Sequence, residues 1–393
     1  MAKKKSENDG AAEPRVPAPA QPESNAQAEM EAETPAPAEQ DQARPAGPLR
    51  GGGETPDDPE LNRALLRSML LQRRFEERCA EAYATGKIGG FCHLYIGQEA
   101  VSSGTSSVLR PDDYVITTYR DHGLALARGL TPHSVMAELY GRVDGCAGGK
   151  GGSMHMFDRE RNFLGGHGIV GGHIPIATGV GYAIKYRGGD QVIVCFMGEA
   201  AVNNGAFHEA LNMAALYGLP VVYVIENNRY GMGTAVERAS AIHDVYERAA
   251  SYDMPRALVD GQDVFAVRRE VGAAVERART DKVPTLLEAR TYRFMGHSMS
   301  DAVSGTYRSK AELDENLKRD PIALLRSHMQ ERGEIDDEAV QALDAEIKAI
   351  VQDAIDFADA SPEPPLDHLY RDVLVDTTSD DYVRPEPQAV AAD

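Results

Sequence analysis

Side chains that could hold a cation beside a phosphate follow two apolar runs of this chain. Glu199 comes just after the run 192–197, and Asn228 follows the run 221–225. A helix-like segment, 206–217, connects the runs and ends before Gly218 and Pro220, so the pattern predicts a strand–loop–helix–strand unit. Because the carboxyl ends of parallel strands meet at the edge where open α/β folds bind ligands, we expect the carboxylate and the amide to lie together.

The chemistry of these side chains is that of a hard cation bound with a phosphate. Mg²⁺ takes six oxygen ligands at about 2.0–2.1 Å, commonly one or two carboxylates or amides together with phosphate and water. Glu199 offers a carboxylate, Asn228 an amide oxygen, and Tyr230 a backbone carbonyl. Backbone N–H groups of the loop 199–206 can face the phosphate. The alternative is an ordinary α/β crossover with a polar loop; we favour the ligand site because the second run also ends in ligand side chains.

Two further clusters bear on the same chemistry. The strand-like run 114–118 ends in Tyr119-Arg120-Asp121-His122, and an arginine there could bind phosphate oxygens through two parallel hydrogen bonds. The segment 145–155, GCAGGKGGSMH, is glycine-rich with one lysine but lacks the spacing of a phosphate-binding P-loop. We interpret this segment as a wall of the active site, with a purely structural role as the alternative.

The stretch 198–234 resembles the thiamine diphosphate motif of the α subunits of 2-oxoacid dehydrogenases. That motif opens with Gly-Asp-Gly and closes with Asn-Asn, and the closing half here, ENNRYGMGT, is especially like the pyruvate-specific members. The opening half departs from the pattern, because Gly198-Glu199-Ala200 stands where Gly-Asp-Gly is usual. Branched-chain relatives carry glutamate there. If position 200 needs a positive φ, its Cβ costs about 1 kcal/mol or more.

The resemblance implies thiamine diphosphate and Mg²⁺ as cofactors. The metal ligands would be Glu199, Asn228 and the carbonyl of Tyr230. Residues that match the family's cofactor contacts are Tyr119, Arg120, Gly168, Ile169, Val170, Gly198, Glu199, Ala200, Ala201, Asn228, Arg293 and His297. Among them, Gly168 and Val170 would donate or accept backbone hydrogen bonds at the aminopyrimidine, and Ile169 would support the bent cofactor.

Two histidines match catalytic positions of the family. His93 lies in Phe-Cys-His-Leu-Tyr, and His297 lies in Arg-Phe-Met-Gly-His-Ser-Met-Ser-Asp. Both would protonate or position intermediates. His122 is a third candidate beside the phosphate. Ser298 matches a residue that is phosphorylated in mitochondrial relatives, where the added charge would repel the cofactor diphosphate.

The reaction that the resemblance implies is oxidative decarboxylation of pyruvate with transfer of the acetyl group to a lipoyl carrier. The partners would be a β subunit, in an α2β2 heterotetramer, and the lipoyl-bearing dihydrolipoyl acetyltransferase core. The glutamate that acts on the aminopyrimidine belongs to the β subunit in this family, so the chain alone would be inactive. The alternatives are a branched-chain 2-oxoacid or acetoin dehydrogenase α subunit and, in another class, a non-catalytic scaffold subunit.

Alternating strands and helices up to about residue 290 predict an α/β protein with a parallel sheet flanked by helices on both faces. By resemblance this is the thiamine diphosphate-binding fold, over residues 59–375. The first helix would begin at Pro59, capped by Asp57 or Asp58, and end near Gly86. Residues 1–58, rich in Ala, Pro and Glu, are predicted to be a disordered arm, and residues 376–393 a short flexible tail.

Composition limits the partners. The net charge of −20 argues against nucleic acid, and no apolar run is long enough to span a bilayer. Four cysteines without a C-x-x-C pair predict reduced thiols. With no secretory or transit pattern at the start, we expect a cytoplasmic protein.

Overall fold

The computed structural model describes residues 58–371 and residue 373. The predictions for residues 1–57 and 376–393 lie outside these residues. The helices are α1 (Pro59–Ala84), α2 (Glu99–Ser106), α3 (His122–Ala127), α4 (Pro132–Leu139), α5 (Ile174–Tyr186), α6 (Gly205–Leu216), α7 (Val236–Ala239), α8 (Val264–Asp281), α9 (Lys310–Leu317), α10 (Pro321–Glu331) and α11 (Asp337–Ala360). The strands are β1 (Tyr114–Thr118), β2 (Phe163–His167), β3 (Ile193–Gly198), β4 (Val221–Asn227), β5 (Tyr230–Gly231), β6 (Thr234–Ala235), β7 (Arg256–Asp260) and β8 (Thr285–Arg290).

Six strands form one sheet in the order β2-β1-β3-β4-β8-β7, and every neighbouring pair is parallel. The predicted parallel α/β sheet is therefore confirmed. Strand β8 lies between β4 and β7, although the chain makes β7 first. Strands β5 and β6 form a separate two-stranded antiparallel hairpin just after β4.

Helices cover both faces of the sheet because its strands are apolar on both sides. In β3, Val194 and Phe196 join the core formed with α1, α2, α4, α8 and α11, whereas Ile193, Cys195 and Met197 join the core formed with α5 and α6. This alternation is the two-residue period of a strand. Five consecutive residues of one strand thus pack against both helix layers.

The ends of α1 follow the predicted signals. The Asp58 side chain accepts hydrogen bonds from the N–H groups of Glu60 and Leu61 at 3.1 Å, and Pro59 is the first helical residue. Gly86 follows the helix with φ of 78°, the left-handed conformation that favours glycine after a helix. The loop 88–98 after it runs towards the carboxyl edge of the sheet, where His93 lies.

The connection between β3 and α6 is more regular than the predicted polar loop. Residues Glu199–Asn203 form a 3₁₀ turn, and the Asn204 side chain then caps α6 by accepting from the N–H of Ala206 at 3.0 Å. Ala200 is not among the described non-glycine residues with positive φ, so the strain considered for its Cβ does not arise.

Within the described residues, no helix combines the length and the apolar character that crossing a membrane requires. The cysteines are free thiols: Cys79, Cys92 and Cys195 are buried and Cys146 is half-buried.

Candidate active site

A cavity of about 440 Å³ opens at the carboxyl edge of the sheet. The residues that follow five of the strands contribute to its wall: Gly168 after β2, Tyr119 after β1, Glu199 after β3, Asn228 after β4 and Arg293 after β8. The sixth contribution, His93, comes from the loop between α1 and α2. The edge is where open α/β folds bind ligands, so the topology alone brings these residues together.

Two buried oxygen atoms of the residues in this wall have no hydrogen-bond partner in the part of the chain that the structure describes. Glu199 is 2 % exposed, and its Oε2 accepts a long hydrogen bond of 3.4 Å from the N–H of Asn228. Among the described residues, nothing donates to Glu199 Oε1 or to Asn228 Oδ1, and both atoms are buried. The Asn228 Nδ2 donates to Gln98 Oε1 at 2.9 Å, which leaves the amide oxygen for a ligand. Burial raises the pKa of Glu199 to about 7.

This pair fits a magnesium ion. An unpartnered buried oxygen normally costs about 1–3 kcal/mol, so two in contact with one cavity indicate a missing positive group. A carboxylate and an amide oxygen are the ligands that Mg²⁺ takes in proteins.

The β5–β6 hairpin closes tightly over the turn that begins at Glu199. A Cβ atom on Gly231 would lie 2.5 Å from the Ala200 Cβ, so only glycine fits there. Tyr230 is held from its far end, because its hydroxyl donates to Glu312 at 2.9 Å and the Tyr292 hydroxyl donates to the same carboxylate at 3.0 Å. The backbone of Tyr230, predicted as a metal ligand, is thereby fixed at the cavity wall.

The two arginines of the cavity differ in their free donors. Arg120 donates to the carbonyls of Leu94 and His297 at 2.6 and 2.8 Å, and burial lowers its pKa to about 10. Arg293 is 1 % exposed, and its Nε and Nη1 have no partner among the described residues. Arg293 therefore has donors left for a phosphate, whereas Arg120 mainly joins two loops of the wall.

Two histidine rings and a tyrosine ring form one cluster in the cavity. The ring centroids of His93 and His297 are 5.2 Å apart, and Tyr119 lies 4.6 Å from His93 and 5.8 Å from His297. Burial, with the positive charge of Arg120, lowers the pKa of His93 to about 3 and that of His297 to about 4. Both rings are consequently neutral at pH 7 and can accept or donate a single hydrogen bond at each nitrogen.

Most of the residues predicted from the sequence line this one cavity. They are His93, Tyr119, Arg120, Gly168, Val170, Gly198, Glu199, Ala200, Ala201, Asn228, Tyr230, Arg293 and His297. Ile169 is different, because it is absent from the lining and its side chain is 78 % exposed. The individual roles given to all these residues stay predictions.

His122 does not face the cavity. Its Nδ1 lies 2.9 Å from Glu76 Oε2, and its Nε2 lies 2.9 Å from Ser153 Oγ. Burial acts to lower the pKa of His122, but the neighbouring Glu76 carboxylate has the larger effect. The pKa of His122 is therefore raised above its ordinary value. His122 thus supports the wall from behind.

Sequence reasoning missed several lining residues, notably Gln98 and Glu226. Glu226 accepts a hydrogen bond from the Tyr95 hydroxyl, and burial raises its pKa to about 7. Alignment of the carboxyl ends of β3 and β4 would have placed Glu226 at the cavity, since Glu226 pairs in register with Gly198. Nothing in the sequence around Gln98 indicates that its side chain orients Asn228.

With this geometry established, comparison with known proteins gives a consistent result. The sequence profile of the family described as "Dehydrogenase E1 component" matches residues 67–367. A protein of Rhizobium meliloti (strain 1021) named pyruvate dehydrogenase E1 component subunit alpha is 49 % identical over 310 residues, which cover 79 % of this chain and 88 % of the relative. The protein of the same name from Zymomonas mobilis subsp. mobilis is 47 % identical, covering 79 % and 87 %. Pyruvate dehydrogenase E1 component subunit alpha-3, chloroplastic, of Arabidopsis thaliana is 44 % identical, covering 79 % and 74 %.

Proposed function

This chain belongs to the dehydrogenase E1 component family, and we propose that it is the α subunit of a thiamine diphosphate- and Mg²⁺-dependent enzyme. The reaction is oxidative decarboxylation of pyruvate with transfer of the acetyl group to a lipoyl carrier. The choice of pyruvate rests on the names of the relatives and on the ENNRYGMGT stretch. The lipoyl-bearing dihydrolipoyl acetyltransferase core would receive the acetyl group.

One observation supports this function above the others. Glu199 Oε1 and Asn228 Oδ1 are buried at the same cavity and have no hydrogen-bond partner among the described residues, and the same holds for Nε and Nη1 of Arg293. A scaffold subunit that had lost its cofactor would have no reason to keep this arrangement, because each unpartnered buried group lowers stability. The carboxylate and the amide would hold Mg²⁺, with the Tyr230 carbonyl, and Arg293 would bind the diphosphate.

Thiamine diphosphate, when bound, supplies the nucleophilic carbon and the electron sink for loss of CO₂. The residues of this chain would bind and orient the reactants. His93 and His297 lie 5.2 Å apart between ring centroids, close enough to contact one small substrate together. An anionic carboxylate entering beside them would raise their pKa values and favour the protonated ring, which donates a hydrogen bond to the carboxylate. Tyr119 packs against both rings and keeps them oriented.

The partner subunit would cover an apolar face next to the cavity. We define the α5–α6 face by its large exposed apolar side chains: Ile176, Tyr182, Tyr186, Met213, Leu216 and Tyr217. Helix α5 begins just after Ile169 and Val170, so the face continues directly from the exposed Ile169 at the mouth of the cavity. Large exposed apolar patches mark protein interfaces. A β subunit seated there would also close the cavity and cover the Ile169 side chain, which is exposed in this chain alone.

The test uses the α and β chains produced together. Isothermal titration with thiamine diphosphate and Mg²⁺ should show saturable binding that Asn228→Ala removes, and pyruvate should be decarboxylated faster than 2-oxoisovalerate or acetoin. Saturable binding with negligible turnover of pyruvate would contradict the substrate. Absence of binding by the wild-type assembly would contradict the proposed function.

The proposed interface has a test of its own. Leu216→Asp on the α5–α6 face should prevent isolation of the α/β assembly, since a charge cannot be buried there without a partner. Leu366→Asp, at an exposed apolar residue outside that face, is the matched control and should leave the assembly intact. Normal assembly of Leu216→Asp would show that the β subunit binds elsewhere.

A further inference from the structure

We propose that Glu138 is a positioning residue for His93, because its carboxylate accepts hydrogen bonds from the glycine-rich segment 145–155 and thereby holds Ser153 against His93. The inference rests on the proposed function only for the role of His93. It gives the glycine-rich segment a task that neither the motif nor the family resemblance assigned to it.

The Glu138 carboxylate is a buried anion held by backbone N–H groups. Glu138 lies in the last turn of α4 and is 0 % exposed. Its Oε2 accepts from the N–H groups of Ala147 and Gly149 at 2.7 and 2.9 Å, and its Oε1 accepts from those of Gly151 and Gly152 at 2.7 and 3.0 Å. Four converging N–H groups form the kind of concavity that binds phosphate in other proteins. Here the chain's own carboxylate occupies it.

Three glycines of the segment lie against Glu138 or against the neighbouring backbone. A Cβ atom on Gly145 would lie 2.3 Å from Glu138 Oε2, and one on Gly151 would lie 2.0 Å from the carbonyl oxygen of His155. Gly149 has a φ of 76° and would meet the backbone of Gly141 and Arg142 at 2.7 Å. At these three positions there is therefore no room for a side chain. The loop's only lysine, Lys150, reaches the Arg371 carbonyl at 3.3 Å.

The 3₁₀ turn Gly152–Met154 connects the hydrogen bonds of Glu138 with the active site. Gly152 is the last of the four N–H donors, and Ser153 follows at once. The Ser153 Oγ accepts from the backbone N–H of His93 at 3.2 Å and lies 2.9 Å from the Nε2 of His122. Met154 lines the cavity. A path of hydrogen bonds thus leads from Glu138 to the backbone of a residue whose ring faces the reactants.

The path implies a division of roles within the site. Glu199 and Asn228 follow β3 and β4, and none of the hydrogen bonds of the Glu138 carboxylate reaches those strands or the residues after them. Loss of the Glu138 carboxylate should therefore impair the placement of His93 and leave binding of the magnesium-bound cofactor almost unchanged. Loss of a residue that only stabilised the fold would impair both catalysis and cofactor binding.

The experiment compares Glu138→Gln with the wild type in the co-produced α/β assembly. Glutamine keeps the size of the side chain, but its amide nitrogen cannot accept from two of the four N–H groups. Amide exchange in a peptide covering 145–155 should become at least about tenfold faster. The kcat with pyruvate should fall about tenfold. This is the change expected when the misplaced His93 ring loses stabilisation equal to one hydrogen bond to a charged group. The concentration of thiamine diphosphate that gives half-saturation in calorimetry should stay within about twofold.

Asp336→Ala is the matched control, because Asp336 caps α11 through the N–H of Ala339 and has no contact with the segment 145–155. It should lower thermal stability without changing kcat. Faster amide exchange with unchanged kcat in Glu138→Gln would overturn the positioning role. Unchanged amide exchange would show that the Glu138 carboxylate does not hold the segment. An equal loss of cofactor binding and of kcat would show a general structural defect instead.

Ser153→Ala decides the question if Glu138→Gln does not assemble. It leaves the four hydrogen bonds of Glu138 in place and removes only the hydroxyl that accepts from His93. A several-fold lower kcat with unchanged exchange supports the proposal, and a wild-type kcat overturns it. A wild-type assembly that turns over no 2-oxoacid would contradict the proposed function, which is a separate outcome from any difference between variant and wild type.

Discussion

Glu199 and Glu138 are two buried glutamates of the same domain with opposite surroundings. Glu138 accepts four hydrogen bonds from backbone N–H groups. Glu199 accepts one long hydrogen bond, its Oε1 has no partner among the described residues, and burial raises its pKa to about 7. The Glu138 carboxylate is satisfied by the fold itself, whereas the Glu199 carboxylate keeps one oxygen for the ligand that we propose.

The difference shows that local composition is a poor guide to which loop binds an anion or a cation. The glycine-rich segment with its lysine looks like a ligand loop, yet its N–H groups are already occupied by Glu138. The turn after Gly198 looks ordinary, yet it holds the unsatisfied carboxylate. The number of unsatisfied buried groups is what separates a binding site from a structural cluster.

The largest expected effect comes from Glu199→Gln. The change removes the charged metal ligand, so decarboxylation should fall on the order of a thousandfold, equivalent to about 4 kcal/mol of metal contribution. The cofactor-free assembly should be no less stable than wild type, because a buried carboxylate with an unpartnered oxygen is lost. Calorimetric titration and thermal unfolding measure both. Wild-type affinity for Mg²⁺ and thiamine diphosphate would contradict the assignment of Glu199.

The next effect concerns Glu138 and has the opposite sign in stability. Glu138→Ala leaves the four part-buried N–H groups without their acceptor, so the free energy of unfolding of the cofactor-free assembly should fall by about 3 kcal/mol. Thermal or urea unfolding measures it beside Glu199→Gln. If both variants moved in the same direction by the same amount, the contrast between the two glutamates would be wrong.

A smaller effect is expected from the glycines around Glu138. Gly145→Ala would place a Cβ atom 2.3 Å from Glu138 Oε2, and overpacking of this kind costs about 1–3 kcal/mol. Gly272→Ala in α8 is the control, since its Cβ would meet Val108 at an ordinary 3.6 Å. That control should be neutral or stabilise by up to about 1 kcal/mol, because alanine favours the helix. Urea unfolding distinguishes the two, and equal stability of the variants would show that the loop yields easily.

The smallest effect extends the comparison to a basic group. The pKa of His297 in the cofactor-free protein is lowered by burial to about 4, below its unfolded value of about 6.5. Between these values the unfolded chain binds a proton that the folded chain does not, so this contribution to stability is present above about pH 6.5 and is lost as the pH falls towards about 4. Between pH 7 and pH 5 the free energy of unfolding of His297→Gln should therefore fall by about 1 kcal/mol less than that of the wild type. The difference is small because water screens the partly exposed ring. Stability curves of variant and wild type that run parallel from pH 7 to pH 5 would contradict the lowered pKa.

The sequence was sufficient for the fold and for the meeting of Glu199 with Asn228, because strand ends in a parallel sheet have only one edge on which to meet. It was insufficient where a partner lies far away in the chain. His122 pairs with Glu76 on α1, and Gln98 orients Asn228 across 130 residues. One signal was available for the glycine-rich segment, since Glu138 interrupts the apolar stretch 135–140 directly before it. A charge in a buried helix turn requires a partner.

The placement of β8 between β4 and β7 has a consequence for synthesis. Until the ribosome has made residues 285–290, the Val221–Asn227 edge has no neighbour on that side, and Arg256–Asp260 has no strand to pair with among those that the structure describes. A nascent chain stalled near residue 280 would therefore expose a long apolar strand edge, which is a template for aggregation. The sheet can therefore be completed only after β8 has been synthesised, when nearly three quarters of the 393 residues have been translated.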